Sequence, residues 1–109
     1  MKIVQPDLGR SGIAEGLRIA AMSPEIDPQV SIALGPQIAA AIHFAAALEN
    51  CSLCEFNPRV LEVANQFQVV PLRLECAAYV VPQEPGLGIE MSPRLAAPQK
   101  TVKHTSEVR

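Results

Sequence analysis

With 109 residues, 49% hydrophobic content and 9 basic against 11 acidic side chains for a formal charge of −2, the chain has room for one modest core. It carries no electrostatic footprint for nucleic acid or an anionic membrane. Its longest apolar runs, such as 38–48, are too short to span a bilayer, and Met1-Lys2 is followed by no signal-peptide core. Three cysteines, two of them close together, fit a reducing compartment better than a disulfide scaffold, so a cytoplasmic location is expected.

The chain opens on a short apolar strand end, Ile3-Val4, that runs through Gln5-Pro6 into Asp7 and at once into a glycine-containing helix start. This is the joint of a βα-barrel unit. The C-terminal tip of a barrel strand is where such folds carry chemistry, so Asp7 stands where a functional acid would sit. Its plainer reading is an acid that complements a helix N-terminus. Ser11 or Gly12 is expected to cap a helix to about Met22, with Ile13, Leu17, Ala20 and Ala21 on the buried face and Glu15 and Arg18 outward. Pro24 stops it. Residues 23–29 then read as a loop and 30–34 as a short strand or extended run.

Gly35-Pro36 opens a second helix, because proline at the first helical position forgoes no hydrogen bond; Ile38, Ala41, Ile42, Ala45 and Leu48 make its buried stripe, ending at Asn50. Residues 52–56 alternate and predict a third strand ending at Glu55. A weaker third helix covers 59–67, with Val60, Val63, Ala64 and Phe67 at helical intervals. Beyond it, 69–74 and 79–81 look like a hairpin, 82–89 a rigid turn, and 99–109 a solvated tail.

Strand-helix alternation argues for parallel strands joined by crossover helices. Three such strands cannot close a barrel, and an open parallel sheet leaves its edges unpaired and one face bare. The unit is therefore expected to be incomplete. Several smaller motifs have plain readings. His43 lies beside the apolar stripe of its helix and reads as a packed or half-exposed side chain, and His104 falls in the tail. Cys51 and Cys54 form a lone C-x-x-C that supplies neither four tetrahedral zinc ligands nor a redox pair at a helix start. Gly86-Leu87-Gly88 is a turn and not a phosphate loop, having no strand before it and no helix after it.

Taken together, Ile3-Val4-Gln5-Pro6-Asp7, the Gly12-Ile13-Ala14-Glu15 helix start, Leu34-Gly35-Pro36, the alanine-rich helix through His43-Phe44-Ala45-Ala46-Ala47, Glu55, and Val81-Pro82 to Pro85-Gly86-Leu87-Gly88-Ile89 resemble the C-terminal part of the mandelate racemase and muconate lactonizing enzyme family of the enolase superfamily. Within it the match looks most like the acid-sugar dehydratase branch. The resemblance implies an α/β fold, a partial TIM-type barrel made of the last three βα units of a modified (β/α)₇β barrel over residues 2–68. It also implies a C-terminal hairpin and turn over 69–92 that would pack on a capping domain, and a flexible tail over 93–109.

The chemistry implied is Mg²⁺-assisted abstraction of the proton next to a carboxylate, with a Lys or His base. The metal carboxylates and the lysine motif of that family lie on earlier strands, so no metal or cofactor is expected in this chain alone. Asp7 matches the acid at the end of strand six, which in racemase-like members orients a histidine on strand seven. Gln29 stands where that histidine is expected, and its amide takes up no proton at neutral pH. Glu55 matches the strand-eight glutamate that meets a substrate carboxylate when protonated, a role that needs a closed, dry pocket. Cys76-Ala77-Ala78 replaces an acidic-glycine turn, so the hairpin is expected to be loose.

Three functional expectations follow. The first is a truncated dehydratase or racemase relative, inert alone. The second is half of an enzyme completed by a complementary barrel chain. The third is a non-catalytic module that associates through its exposed edges. The substrate, a sugar acid only in a complete enzyme, is not specified by these residues.

Overall fold

The computed structural model describes residues 3–22, 25, 27–29 and 37–93. The expected strand at 30–34, the Gly35-Pro36 helix start and the tail beyond Pro93 lie outside them. The elements run β1 (Ile3–Val4), α1 (Leu8–Ala21), β2 (Asp27–Pro28), α2 (Gln37–Ala47), α3 (Pro58–Gln66), β3 (Leu74–Glu75) and β4 (Ala78–Tyr79).

β1 and β2 pair in parallel, Ile3 opposite Asp27 and Val4 opposite Pro28, and the Gln29 N–H extends the pairing to the Val4 carbonyl at 2.9 Å. This corrects the expected loop at its end, 27–28, whereas 23, 24 and 26 lie outside the described residues. Pro28 has no N–H, but the rung to β1 uses the amide of Gln29, so the proline does not interrupt it. Alternation along the two strands sorts their faces. Val4 is half-buried and Pro6 and Pro28 are buried, whereas Ile3 and Gln5 are exposed. One face lies under the helices and the other is open.

α1 starts at Leu8, earlier than Ser11 or Gly12, because the Asp7 carboxylate accepts from the Gly9 N–H at 2.9 Å and caps it. Gly12 is instead a break inside it, at φ 79° and ψ 165°, a conformation open to glycine. Its buried face also differs from expectation: Gly16 and Ala20 are buried while Ile13 and Leu17 stay about half exposed. The cause is close approach. A Cβ at Gly16 would stand 2.6 Å from Leu8 Cδ2 and 3.0 Å from Phe44 Cζ, so the small residues face α2 and the larger ones point away.

α2 is the centre of the molecule. Ile38, Ala39 and Ile42 join Ala64 and Leu72 in one cluster, with Val60, Leu61, Tyr79, Val81 and Ile89 packed around it. Ala41 and Phe44 form a second cluster against Leu8, Ala45, Leu48, Cys51 and Cys54. The predicted stripe is thus present, though Ala45 and Leu48 are only half-buried. α3 is capped by Asn57, which accepts from the Arg59 and Val60 N–H groups at 3.1 and 3.3 Å, and Pro58 occupies its first turn. Val63 is exposed, and Leu61 takes the core-facing position expected of it.

Residues 52–56 form no strand. They run as coil with a single bridge at Cys54, and Ser52 is linked to the Asp27 side chain of β2. β3 and β4 make a hairpin with Leu74 opposite Tyr79 and Glu75 opposite Ala78. Its two-residue turn, Cys76-Ala77, has φ of 51° and 62°, the signature of a tight type I′ turn. The loose hairpin expected without glycine is therefore corrected, since both L residues accept the left-handed conformation. The chain then turns through Gly86 and Gly88, both at positive φ, where a Cβ on Gly88 would collide with Pro82. His43 Nε2 meets the Leu87 carbonyl at 3.1 Å and holds this turn on α2. The returning segment pairs with 67–69, through Val69 N–H to Glu90 O and Ser92 N–H to Phe67 O, both 2.8 Å. Among the described residues no helix is long and apolar enough to cross a membrane.

Candidate functional site on the open sheet face

The open face of β1 and β2 carries the sequence-predicted residues at strand ends. Asp7 follows β1 by three residues and is half-buried; Gln29 directly follows β2. The Asp7 carboxylate is engaged locally, by the Gly9 amide, while its backbone carbonyl accepts from the Arg10 and Ser11 N–H groups at 3.1 and 3.0 Å and from the Ser11 hydroxyl at 3.0 Å. Its side chain thus does the work of a helix cap in this structure.

Gln29 lies beside a different acid. Asp27 and Gln29 are two apart and share a face, and the Gln29 amide makes a small contribution to the lowered pKa of Asp27. Asp27 also accepts from the Ser52 backbone N–H at 3.0 Å and makes a very short bond with the Ser52 hydroxyl. Those bonds hold its carboxyl below the usual range. The backbone donor of Ser52 contributes most, then its hydroxyl, against a smaller opposing effect of burial, with the Gln29 amide adding to the lowering. Asp27 and Ser52 were not legible as site residues. The available signal was the two-residue spacing of Asp27 from Gln29, which places both on one face.

Glu55 lies three residues beyond Ser52 and is exposed. It stands near Cys54 and Tyr79, since its charge helps to raise the pKa of both. Burial pushes the Cys54 thiol up to about 11, with Cys51 and Glu55 adding repulsion, and burial likewise raises the Tyr79 phenol to about 12, with Cys54 and Glu55 contributing. Tyr79 packs edge-on against Phe56 at 6.3 Å between ring centres. These groups border a cleft of about 540 Å³ between α2 and the hairpin, lined by Ile42, Cys51, Cys54, Phe56, Tyr79 and their neighbours. None of the three cysteines is in a disulfide.

The donor set can be tested against a divalent cation. Asp7 and Asp27 already accept local donors, and among the described residues no three His, Cys, Asp or Glu side chains converge to hold a metal. The residues present do not fit a magnesium site by themselves.

A parallel pair of strands covered by helices on one face is in keeping with a TIM-barrel-type α/β fold. The sequence model for "Enolase C-terminal domain-like" proteins matches residues 1–95. This chain belongs to that family. A structure of a candidate isomerase from Sinorhizobium meliloti is 33% identical and superposes with a TM-score of 0.79, over 89% of this chain and 27% of that one. The same protein in an open-loop conformation gives the same values. A candidate mandelate racemase/muconate lactonizing enzyme from Labrenzia alexandrii is 32% identical with a TM-score of 0.67, over 88% of this chain and 26% of that one. The enolase-family chain thus spans about a quarter of the length of these solved relatives. Among proteins of curated function none matches. Superfamily members generally use Mg²⁺.

Proposed function

We propose that these residues are the C-terminal staves of a site of the acid-sugar dehydratase or racemase type, which removes the proton α to a carboxylate. By themselves they do not perform it. The observation that carries the reading is the parallel β1–β2 pair with Asp7 and Gln29 at its C-terminal ends, in a chain of the enolase C-terminal domain-like family. Proton abstraction needs a base and a means of stabilising the enediolate. Gln29 is no base, Asp7 caps a helix, and the described donors hold no cation. What this chain offers is positioning: a carboxamide at the end of β2 and a carboxylate, Glu55, on the following segment.

The test is α-proton exchange. The purified chain is incubated with Mg²⁺ in D₂O with a panel of aldonic and aldaric acids and followed by ¹H NMR. No loss of the α-proton signal is expected, and exchange, racemisation or dehydration above the buffer rate overturns the reading.

A second reading, completion by another chain or by a second copy, is favoured by bare apolar side chains, Ile3 on the open face of β1 at 52% exposure and Leu53 at 60%. Light scattering on the purified chain decides whether it associates with itself. A monodisperse monomer removes the second-copy version.

A further inference from the structure

Residues 82–92 form a strap that brings the chain back to the end of α3. Two backbone bonds of 2.8 Å, from the Val69 N–H to the Glu90 carbonyl and from the Ser92 N–H to the Phe67 carbonyl, frame an isolated antiparallel bridge between Gln68 and Met91. His43 pins the strap's turn to α2 through the Leu87 carbonyl, and Ile89 packs on the main cluster. The turn itself is stiff. Pro82 and Pro85 fix their φ angles, and Gly88 lies so close to Pro82 that a Cβ would collide with it.

An unpaired polar group lies at the seam. Gln68 is 7% exposed, and among the described residues neither its amide nitrogen nor its amide oxygen has a hydrogen-bond partner. Burying such a group without a partner is unfavourable. Directly opposite residues of an antiparallel pair project to the same face, so Met91 is the cross-strand neighbour of this amide. Met91 is half exposed, which puts this part of the strap at the surface. The seam is also loosely filled. A cleft of about 580 Å³ runs between 70–73 and the strap, bordered by Val70, Arg73, Val81, Pro82, Gln83 and Glu90, whereas a close-packed interior leaves few voids larger than a water molecule.

We infer that residues 82–92 are a latch, which lifts as a unit from 67–69 and α2 while the helices stay folded. The opening is favoured by hydration of the Gln68 amide and opposed by the two backbone bonds, the His43 contact and the burial of Ile89. Lifting the latch frees the Phe67 carbonyl and the Val69 N–H as an unpaired edge. This device stands on the geometry alone and is independent of the proposed reaction.

Native-state hydrogen exchange on the full chain, followed by ¹⁵N NMR, reads the opening directly. After correction for intrinsic rates, the Val69 and Ser92 amides are expected to exchange together and at least about tenfold faster than the Ile42 amide of α2. Low urea concentrations should barely change the latch amides, because lifting the latch exposes little surface, while the Ile42 rate climbs with urea. Gln68→Met keeps the length of the side chain and removes the unpaired amide, so both latch amides should slow about tenfold. Gln68→Glu places a charge at the seam and should speed them by at least as much. Val69 and Ser92 amides that exchange no faster than Ile42 and share its urea dependence overturn the inference. So does a Gln68→Met variant in which they exchange as fast as in the wild type. If that variant fails to fold, the wild-type urea series and Gln68→Glu decide, and latch amides unmoved by the added charge refute the role of Gln68.

Discussion

The Cys76-Ala77 turn offers a sharp test of the fold, because two L residues sit at φ 51° and 62° where glycine and asparagine are at ease. Each left-handed L residue costs about 1 kcal/mol or somewhat more, and both side chains are exposed, so nothing in the core compensates. Replacing the pair by Cys76→Asn and Ala77→Gly relieves most of that strain. Glycine returns about 0.4–1 kcal/mol through the greater freedom of the unfolded chain. The balance is a gain of about 1 kcal/mol, or roughly 4–8 °C in Tm for a domain of this size. Thermal and urea denaturation followed by circular dichroism reads it, with an unchanged urea slope showing that the unfolded state is the same. Conversely, Ala77→Val puts a β-branched side chain at positive φ and should lower the Tm. An Asn-Gly variant no more stable than the parent would refute the type I′ turn and with it the β3–β4 register.

Other substitutions test the packing and the charges. Gly16→Ala gains about 1 kcal/mol of helix propensity but drives a methyl to 3.0 Å from the buried Phe44 ring; overpacking of about 1–3 kcal/mol wins, and chemical denaturation should show a net loss. Ile38→Ala, at the fully buried centre of the main cluster, should cost about 2–5 kcal/mol in the same measurement. Because the Asp27 pKa is lowered from 3.8 in the fold, its stabilising contribution is complete above that value and is lost as the pH falls through the lower folded value. Asp27→Asn should therefore flatten the acid limb of a stability–pH curve. Cys54, with a pKa raised from 9.0 to about 11, holds about 100-fold less thiolate near neutrality than an ordinary thiol. Mass spectrometry of limited alkylation should show exposed Cys76 labelled well before Cys54.

Much of the helical frame was legible in the residues. Ile38, Ala41 and Ile42 announced α2, and Val60 and Ala64 announced α3, because apolar periodicity is a local signal. The face of α1 was misread since hydrophobicity favours Ile13 and Leu17, whereas the decisive quantity is the space beside Phe44, which admits only Gly16. The second stave was displaced for a related reason. Proline argues for a loop in general, but its missing donor matters only if the ladder needs it, and at Pro28 it does not. Asp7 was expected at the tip of the first strand and lies three residues beyond β1, whereas Gln29 fell in the expected loop and lies directly after β2. The link of Asp27 to Ser52 joins residues 25 apart, which no local pattern encodes.

The pairing of β1 with β2 supports everything said about the site, and it can be read in solution. Inter-strand nuclear Overhauser effects and slowed amide exchange should place Gln29 N–H on the Val4 carbonyl, with Ile3 beside Asp27 and Val4 beside Pro28 in parallel. An antiparallel pattern, or free exchange of the Gln29 amide in an otherwise folded chain, would contradict the assignment of these residues as neighbouring barrel staves.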